Sequence, residues 1–193
     1  LGPRLEPDRA DRAVKQERLT ELDRELVARS RGQEIAMVMQ DPFTALNPMM
    51  RIGEQIAEVF RLHLDMDAKT AWQKSVEMLG KVGVPAPESA ARKYPHQMSG
   101  GQRQRVVIAI AFACKPKILI ADEPTTALDV TLQAQILRLI RQLQDEEGTA
   151  VMLISHDIGV IASLASRIAV YYAGRVVETG STESVLQSPR HPY

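Results

Sequence analysis

Apolar positions follow two different periods along this chain. The run from Glu34 to Gln40, EIAMVMQ, is short and mostly apolar, follows Gly32 and is broken by Asp41-Pro42, which predicts a buried strand. Lys117 to Ala121 and Thr149 to Ile154 have the same unbroken apolar character, as strands of a parallel sheet covered on both faces require. Elsewhere the spacing is helical. Ile52, Ile56, Val59 and Phe60 share a face over 51–64, and Trp72, Val76 and Leu79 share one over 68–82, where Gly83 ends the pattern. Pro85 and Pro87 mark a loop, followed by a short helical turn over 89–94. Further helices are predicted over 99–114, 132–147 (stopped by Gly148), 158–165 and 181–187, with Glu183 near the start of the last. Arg167 to Tyr172 and Arg175 to Glu178 read as a hairpin around Ala173-Gly174. In the charged opening, Leu19, Leu22, Leu26 and Val27 fall at helical spacing, while the first fifteen or so residues are expected to lack fixed structure.

Strands alternating with helices predict an α/β fold with a mainly parallel sheet. The helical stretch interrupts that rhythm and divides the chain into a charged remnant over 1–31, an α/β core over 32–43 and 114–193, and a helical subdomain over 44–113. The 193 residues are 45% hydrophobic and carry a formal net charge of +0, so a sizeable core can form and the basic excess of a nucleic-acid binder is missing. Cys114 is the single cysteine, which excludes an internal disulfide, fits a cytosolic compartment and reads as a small buried residue. No apolar run approaches the ~20 residues that span a bilayer, so any membrane connection is expected to run through a partner. The chain opens without Met and stops at His191-Pro192-Tyr193, so both ends read as cut.

The chemistry collects where strands end, the edge at which open α/β sheets bind ligands. ILIADEP places Asp122 and Glu123 at such an end, where one carboxylate can hold a hydrated Mg²⁺ on nucleotide phosphates and the other can take a proton from water. By itself the pair is equally compatible with a strand that ends in a charged turn. MSGGQRQR puts Ser99, Gly100 and Gly101 at the head of a helix, whose free N–H groups and dipole suit an anion; an ordinary Ser cap would look the same. LISHD ends a strand at His156, a donor for a phosphate oxygen, though a lone His there is more often structural. VMQDP ends another at Gln40, whose amide can contact Mg²⁺ or orient water.

Taken together, Gln40, Ser99-Gly100-Gly101, Asp122-Glu123, Leu128-Asp129 and His156 occur in the order found in ABC ATPases, and the chain resembles that family over nearly its whole length. The resemblance implies a P-loop NTPase (RecA-like) sheet, here partial, with an inserted ABC helical subdomain. It implies that Gln40 is the Q-loop glutamine, a Mg²⁺ or water contact that senses the transporter. Ser99, Gly100, Gly101 and Gln102 then form the signature motif, which clamps the γ-phosphate of ATP held by the other subunit. Asp122 is the metal-binding and Glu123 the catalytic member of the Walker B pair, Asp129 is the D-loop aspartate of the dimer interface, and His156 is the switch histidine. QDPFTALNPMMRIGEQIAE, YPHQMSGGQRQRV, ADEPTTALDVTLQAQIL and SPRHPY look like the oligopeptide/dipeptide importer branch, with nickel importer ATPases as close relatives. That branch implies ATP and Mg²⁺ as cofactors, a second ATPase subunit and transmembrane permease subunits as partners, a substrate-binding protein indirectly, and peripheral attachment at the cytoplasmic face of the inner membrane. The helices over 44–64, which flank Gln40, are the expected permease contact, with Phe43, Met49 and Met50 as the exposed candidates. The rival class is a soluble, non-transport ABC ATPase, marked by long coiled-coil insertions or tandem domains that this sequence lacks.

One departure stands out. The family's phosphate loop, GxxxxGK[ST], is not found in the sequence. The nearest decoy, Gly80-Lys81, has Ser75 where the first glycine belongs and Val82 after the lysine. The chain is therefore read as the C-terminal portion of a longer protein, expected to bind ATP weakly and not to turn it over by itself, and to expose apolar surface that favours self-association.

Overall fold

The structure is a computed structural model and describes residue 32, residues 34–126 and residues 128–193. The charged opening and its helical spacing lie outside these residues. The described chain begins with strand β1 (Ile35–Val38) and a one-turn helix α1 (Pro42–Ala45). Four helical pieces follow: α2 (Ile52–Leu64), α3 (Ala68–Lys81), α4 (Pro87–Ala91) and, after a single 3₁₀ turn (Pro95–Gln97), α5 (Gly100–Phe112). Then come β2 (Ile118–Asp122), α6 (Val130–Glu147), β3 (Ala150–Ile154), α7 (Ile158–Leu164), β4 (Arg167–Tyr172), β5 (Arg175–Ser181) and α8 (Thr182–Gln187).

β1, β2 and β3 form a parallel sheet in that order, with Ile35 opposite Ile118 and Asp122 opposite Ile154. β2 is therefore central, and the polar residues that follow all three strands emerge at one edge. β4 and β5 make a separate antiparallel hairpin with a bulge at Val170/Tyr171. Ala173 and Gly174 both take positive φ at its tip (47° and 75°), as a tight two-residue turn requires.

The core forms where α5 lies on the sheet. Val106, Ile108 and Phe112 of α5 meet Val38 of β1 and Leu119 of β2, and all are fully or almost fully buried with Ile136, Ile140 and Leu143 of α6. α5 is apolar nearly all round from Val106 onward, the pattern of a helix enclosed on several sides. α2 and α3 pack on each other through Ile52, Ile56 and Leu79. Buried Gln55 ties the loop ahead of α2, accepting from Asn47 N (2.9 Å) and donating to the carbonyls of Asn47 and Met50 (both 3.0 Å).

Three expectations from the sequence change. The sheet is covered on one face only: Ile35, Met37, Ile118, Met152 and Ile154 stay 41–55% exposed, because no described element packs over them. Asp41-Pro42 does not simply break the chain but starts α1, with the Asp41 carboxylate accepting from Phe43 N at 2.9 Å and Pro42 in the first turn. Pro87 likewise opens α4 rather than lying in a loop. Cys114 is buried as expected, and burial pushes its thiol up, which keeps it unreactive. Among the described residues no helix is long and apolar enough to cross a membrane.

Candidate active site

Glu123 is the hub. It follows β2 directly, its N–H donates to Ile154 O (2.9 Å), and its backbone takes φ of 44°, a left-handed conformation that a non-glycine residue adopts at a local cost. Three side chains meet its carboxylate: Gln40 Nε2 donates to Oε2 at 2.8 Å, Thr126 Oγ1 donates to the same oxygen at 2.8 Å, and His156 Nδ1 lies 2.7 Å from Oε1. Facing an ionised carboxylate, Nδ1 carries the proton. The sheet explains the convergence, since Gln40, Glu123 and His156 each lie just beyond the end of a parallel strand.

The contacts shift both titrating groups. The hydrogen bond from His156, then that from Thr126, holds the Glu123 carboxyl below its ordinary 4.5. The Glu123 hydrogen bond and charge raise the His156 imidazole above its ordinary 6.5. The Glu123 side chain is only 23% exposed, whereas that of His156 is 78% exposed and can swing away. Asp122, the last residue of β2, sits beside this cluster in register with Ile154.

Ser99 heads α5 in a reciprocal capping box. Its hydroxyl accepts from Gln102 N at 3.3 Å, and Gln102 Oε1 accepts from Ser99 N at 3.1 Å. The two glycines are not equivalent. A Cβ on Gly100 would meet nothing within 4 Å, so open space faces it, whereas one on Gly101 would lie 3.2 Å from Leu132 Cδ2. Gly101 is thus explained by the close approach of α5 and α6, whereas no packing contact accounts for Gly100. Asp129 caps α6, accepting from Leu132 N at 2.9 Å. Among the described contacts, none joins Ser99, Gly100, Gly101, Gln102 or Asp129 to the Glu123 cluster. Gly80 and Lys81 end α3, and Lys81 pairs with Glu146 (3.1 Å) and Glu147 on α6, so the decoy lysine serves as a helix tie.

Sequence reasoning missed Thr126. Its signal was available: Pro124 follows Glu123, and Thr126 N closes the turn onto Glu123 O at 3.1 Å, which returns the hydroxyl to the carboxylate three residues back.

A family model described as ABC transporter matches residues 6–126, more than half of the chain. The chain belongs to the ABC transporter family. Among relatives of this ABC chain, the oligopeptide transport ATP-binding protein OppD of Bacillus subtilis (strain 168) is 54% identical over 163 residues, covering 84% of this chain and 46% of OppD. The dipeptide transport ATP-binding protein DppD of Escherichia coli (strain K12) is 52% identical over 162 residues, covering 84% and 50%. The dimeric post-hydrolysis structure of the ATP-binding cassette MJ0796, bound to ADP and Pi, superposes with a TM-score of 0.73 at 30% identity, covering 84% of this chain and 68% of that one. The chain spans about half the length of the transport proteins it matches.

The resemblance given above implies Mg²⁺ at this edge of the sheet. Asp122 and Gln40 offer oxygen donors at the sheet edge, but among the described residues no group of three or more His, Cys, Asp and Glu could enclose a metal. Oxygen donors are the ligand type Mg²⁺ takes, commonly one or two protein carboxylates with water and substrate phosphates completing the shell.

Proposed function

We propose that this ABC chain is the hydrolytic part of an ATP-driven peptide importer subunit. The observation that carries the reading is the Glu123 carboxylate, held at the end of the central parallel strand by Gln40, Thr126 and His156. Glu123 is the base: held ionised, it accepts a proton from the water that attacks the terminal phosphoryl of ATP, and the bond to the departing ADP breaks. Gln40 orients the Glu123 carboxylate through Nε2 and has its amide oxygen available for the water or the metal. His156, whose Nδ1 is engaged, presents Nε2 as a donor to a phosphoryl oxygen. Bound Mg²⁺ would be held by Asp122 and Gln40 and would neutralise phosphate charge. Gly100 and Gly101 in the first turn of the 13-residue α5 present backbone N–H groups, Ser99 its hydroxyl and Gln102 its side chain, to the terminal phosphate of ATP on a second cassette, with Gly101 also setting the helix close to α6 and Asp129 near the shared interface.

In this reading residues 44–113 act as the helical subdomain and 32–43 with 114–193 as the core. The permease docks beside Gln40, where Phe43 and Met49 are 61% and 83% exposed. A substrate-binding protein acts only through the permease, and the assembly sits at the cytoplasmic face of the inner membrane. The relatives named for oligopeptide and dipeptide transport favour peptide cargo over nickel. The test is Glu123→Gln in the whole gene product: nucleotide binding persists while Mg²⁺-dependent phosphate release is abolished. Normal hydrolysis by that variant would remove Glu123 as the base.

A further inference from the structure

The Ser99 end of α5 is held from one side by an arrangement that hydrolysis does not require. Arg103, one turn along α5, folds back so that Nη1 donates to the carbonyls of Pro95 (3.2 Å) and Met98, the residues that deliver the chain to Ser99. Arg103 N also donates to Ser99 O at 2.9 Å. Its Nε is shielded from solvent and has no hydrogen-bond partner, an arrangement that leaves part of a cation's charge unmet. The group that faces the guanidinium is the Phe43 ring, with the guanidinium carbon 3.7 Å from the ring centroid. An aromatic face at that distance supplies negative potential where no acceptor does.

Phe43 belongs to α1, which begins immediately after Gln40 and is capped by Asp41. The ring is nevertheless 61% exposed, so burial alone does not account for its place. A continuous path thus runs from the Glu123 carboxylate through Gln40, α1, Phe43 and Arg103 to the turn that carries Ser99.

We propose that Phe43 and Arg103 form a latch by which the segment after Gln40 positions the Ser99 end of α5. Arg103 and Phe43 are positioning residues here. The latch deepens the functional reading above, since it concerns how one of the two phosphate-facing ends is held, but it exists without nucleotide and is tested without it.

The experiment is amide hydrogen exchange on the whole chain in the absence of ATP, comparing Phe43→Leu and Phe43→Trp with the parent. Leu keeps an apolar side chain and removes the π face, so exchange at Gln97, Met98, Gln102 and Arg103 rises about two- to fivefold, as expected for an exposed cation–π contact. Trp retains the face and leaves these amides protected. In an Arg103→Met background, Phe43→Leu adds nothing further. The latch is overturned if Leu leaves the four amides unchanged, if Trp raises them as much as Leu, or if α6 amides speed up equally. None of these results depends on Glu123 being the base, so the two readings fail separately.

Discussion

Replacing Ser99 separates its duty to the fold from any duty to a ligand. Ser99→Ala deletes the oxygen that accepts from Gln102 N, while the backbone N–H of residue 99 keeps its bond to Gln102 Oε1. Losing an N-cap costs typically about 1 kcal/mol, within a range of roughly 0.5–2. The lower half of that range applies, because Ser99 is exposed and water can satisfy the freed N–H, and because the cap hydrogen bond is long at 3.3 Å. A loss of about 0.5–1 kcal/mol with a urea m-value of about 2 kcal/mol/M lowers the unfolding midpoint by about 0.25–0.5 M. Ser99→Asp retains the cap and complements the helix dipole, so its midpoint stays within about 0.2 M of the parent. Yet it places a negative charge where a phosphate is proposed to sit, so it should abolish nucleotide-driven pairing of the whole gene product. Circular dichroism at 222 nm reads the first effect and gel filtration with ATP reads the second. An unchanged midpoint for Ala would show that the Ser99 hydroxyl cap contributes nothing. Normal pairing by Asp would show that Ser99 does not face phosphate.

Two further outcomes follow from single contacts. His156 should titrate above 6.5 by NMR and fall back toward that value in Glu123→Gln, since the Glu123 hydrogen bond and charge are its main causes; an unchanged midpoint would break the pair. The raised imidazole stabilises fully below 6.5 and fades as pH rises through its folded value, while the lowered carboxyl stabilises fully above 4.5 and fades as pH falls through its own, so the pair contributes most between these values. Gly53→Ala should destabilise by up to about 2 kcal/mol in urea, because overpacking commonly costs about 1–3 and the better helix propensity of Ala returns about 1. Its Cβ would fall 2.8 Å from Trp72 Cζ3 and 2.9 Å from Ala91 Cβ, and a more stable variant would refute that packing.

The parallel strands were legible because each is an unbroken apolar run, and the rim residues were legible because each follows such a run. What the pattern could not carry was whichever feature depends on a partner distant in sequence. An apolar strand says that a face needs cover but not what covers it, so the bare side of Ile35, Met37 and Met152 was invisible. Asp41-Pro42 and Pro87 were read by their power to break structure, when an Asp cap and a Pro in the first turn equally begin a helix. Gly100 and Gly101 look alike in sequence, and only the position of Leu132 on α6 tells them apart.

The same distinction bears on how the site works. Glu123 accepts from Gln40 and Thr126 on one oxygen and faces His156 on the other, so both oxygens are engaged. A carboxylate so held is ionised and oriented but is a weak base, because every donor that lowers its pKa also lowers its appetite for a proton. On the proposed reading of Glu123 as the base, the proton is taken as one of these donors gives way. His156 and Gln40 are both exposed enough to do so, and Gln40 is joined to α1 and through it to Phe43. Thr126 is fixed by its own turn and stays. In that reading the proposed base is freed by Gln40 and His156, which follow the neighbouring strands β1 and β3, rather than by Thr126 in its own turn.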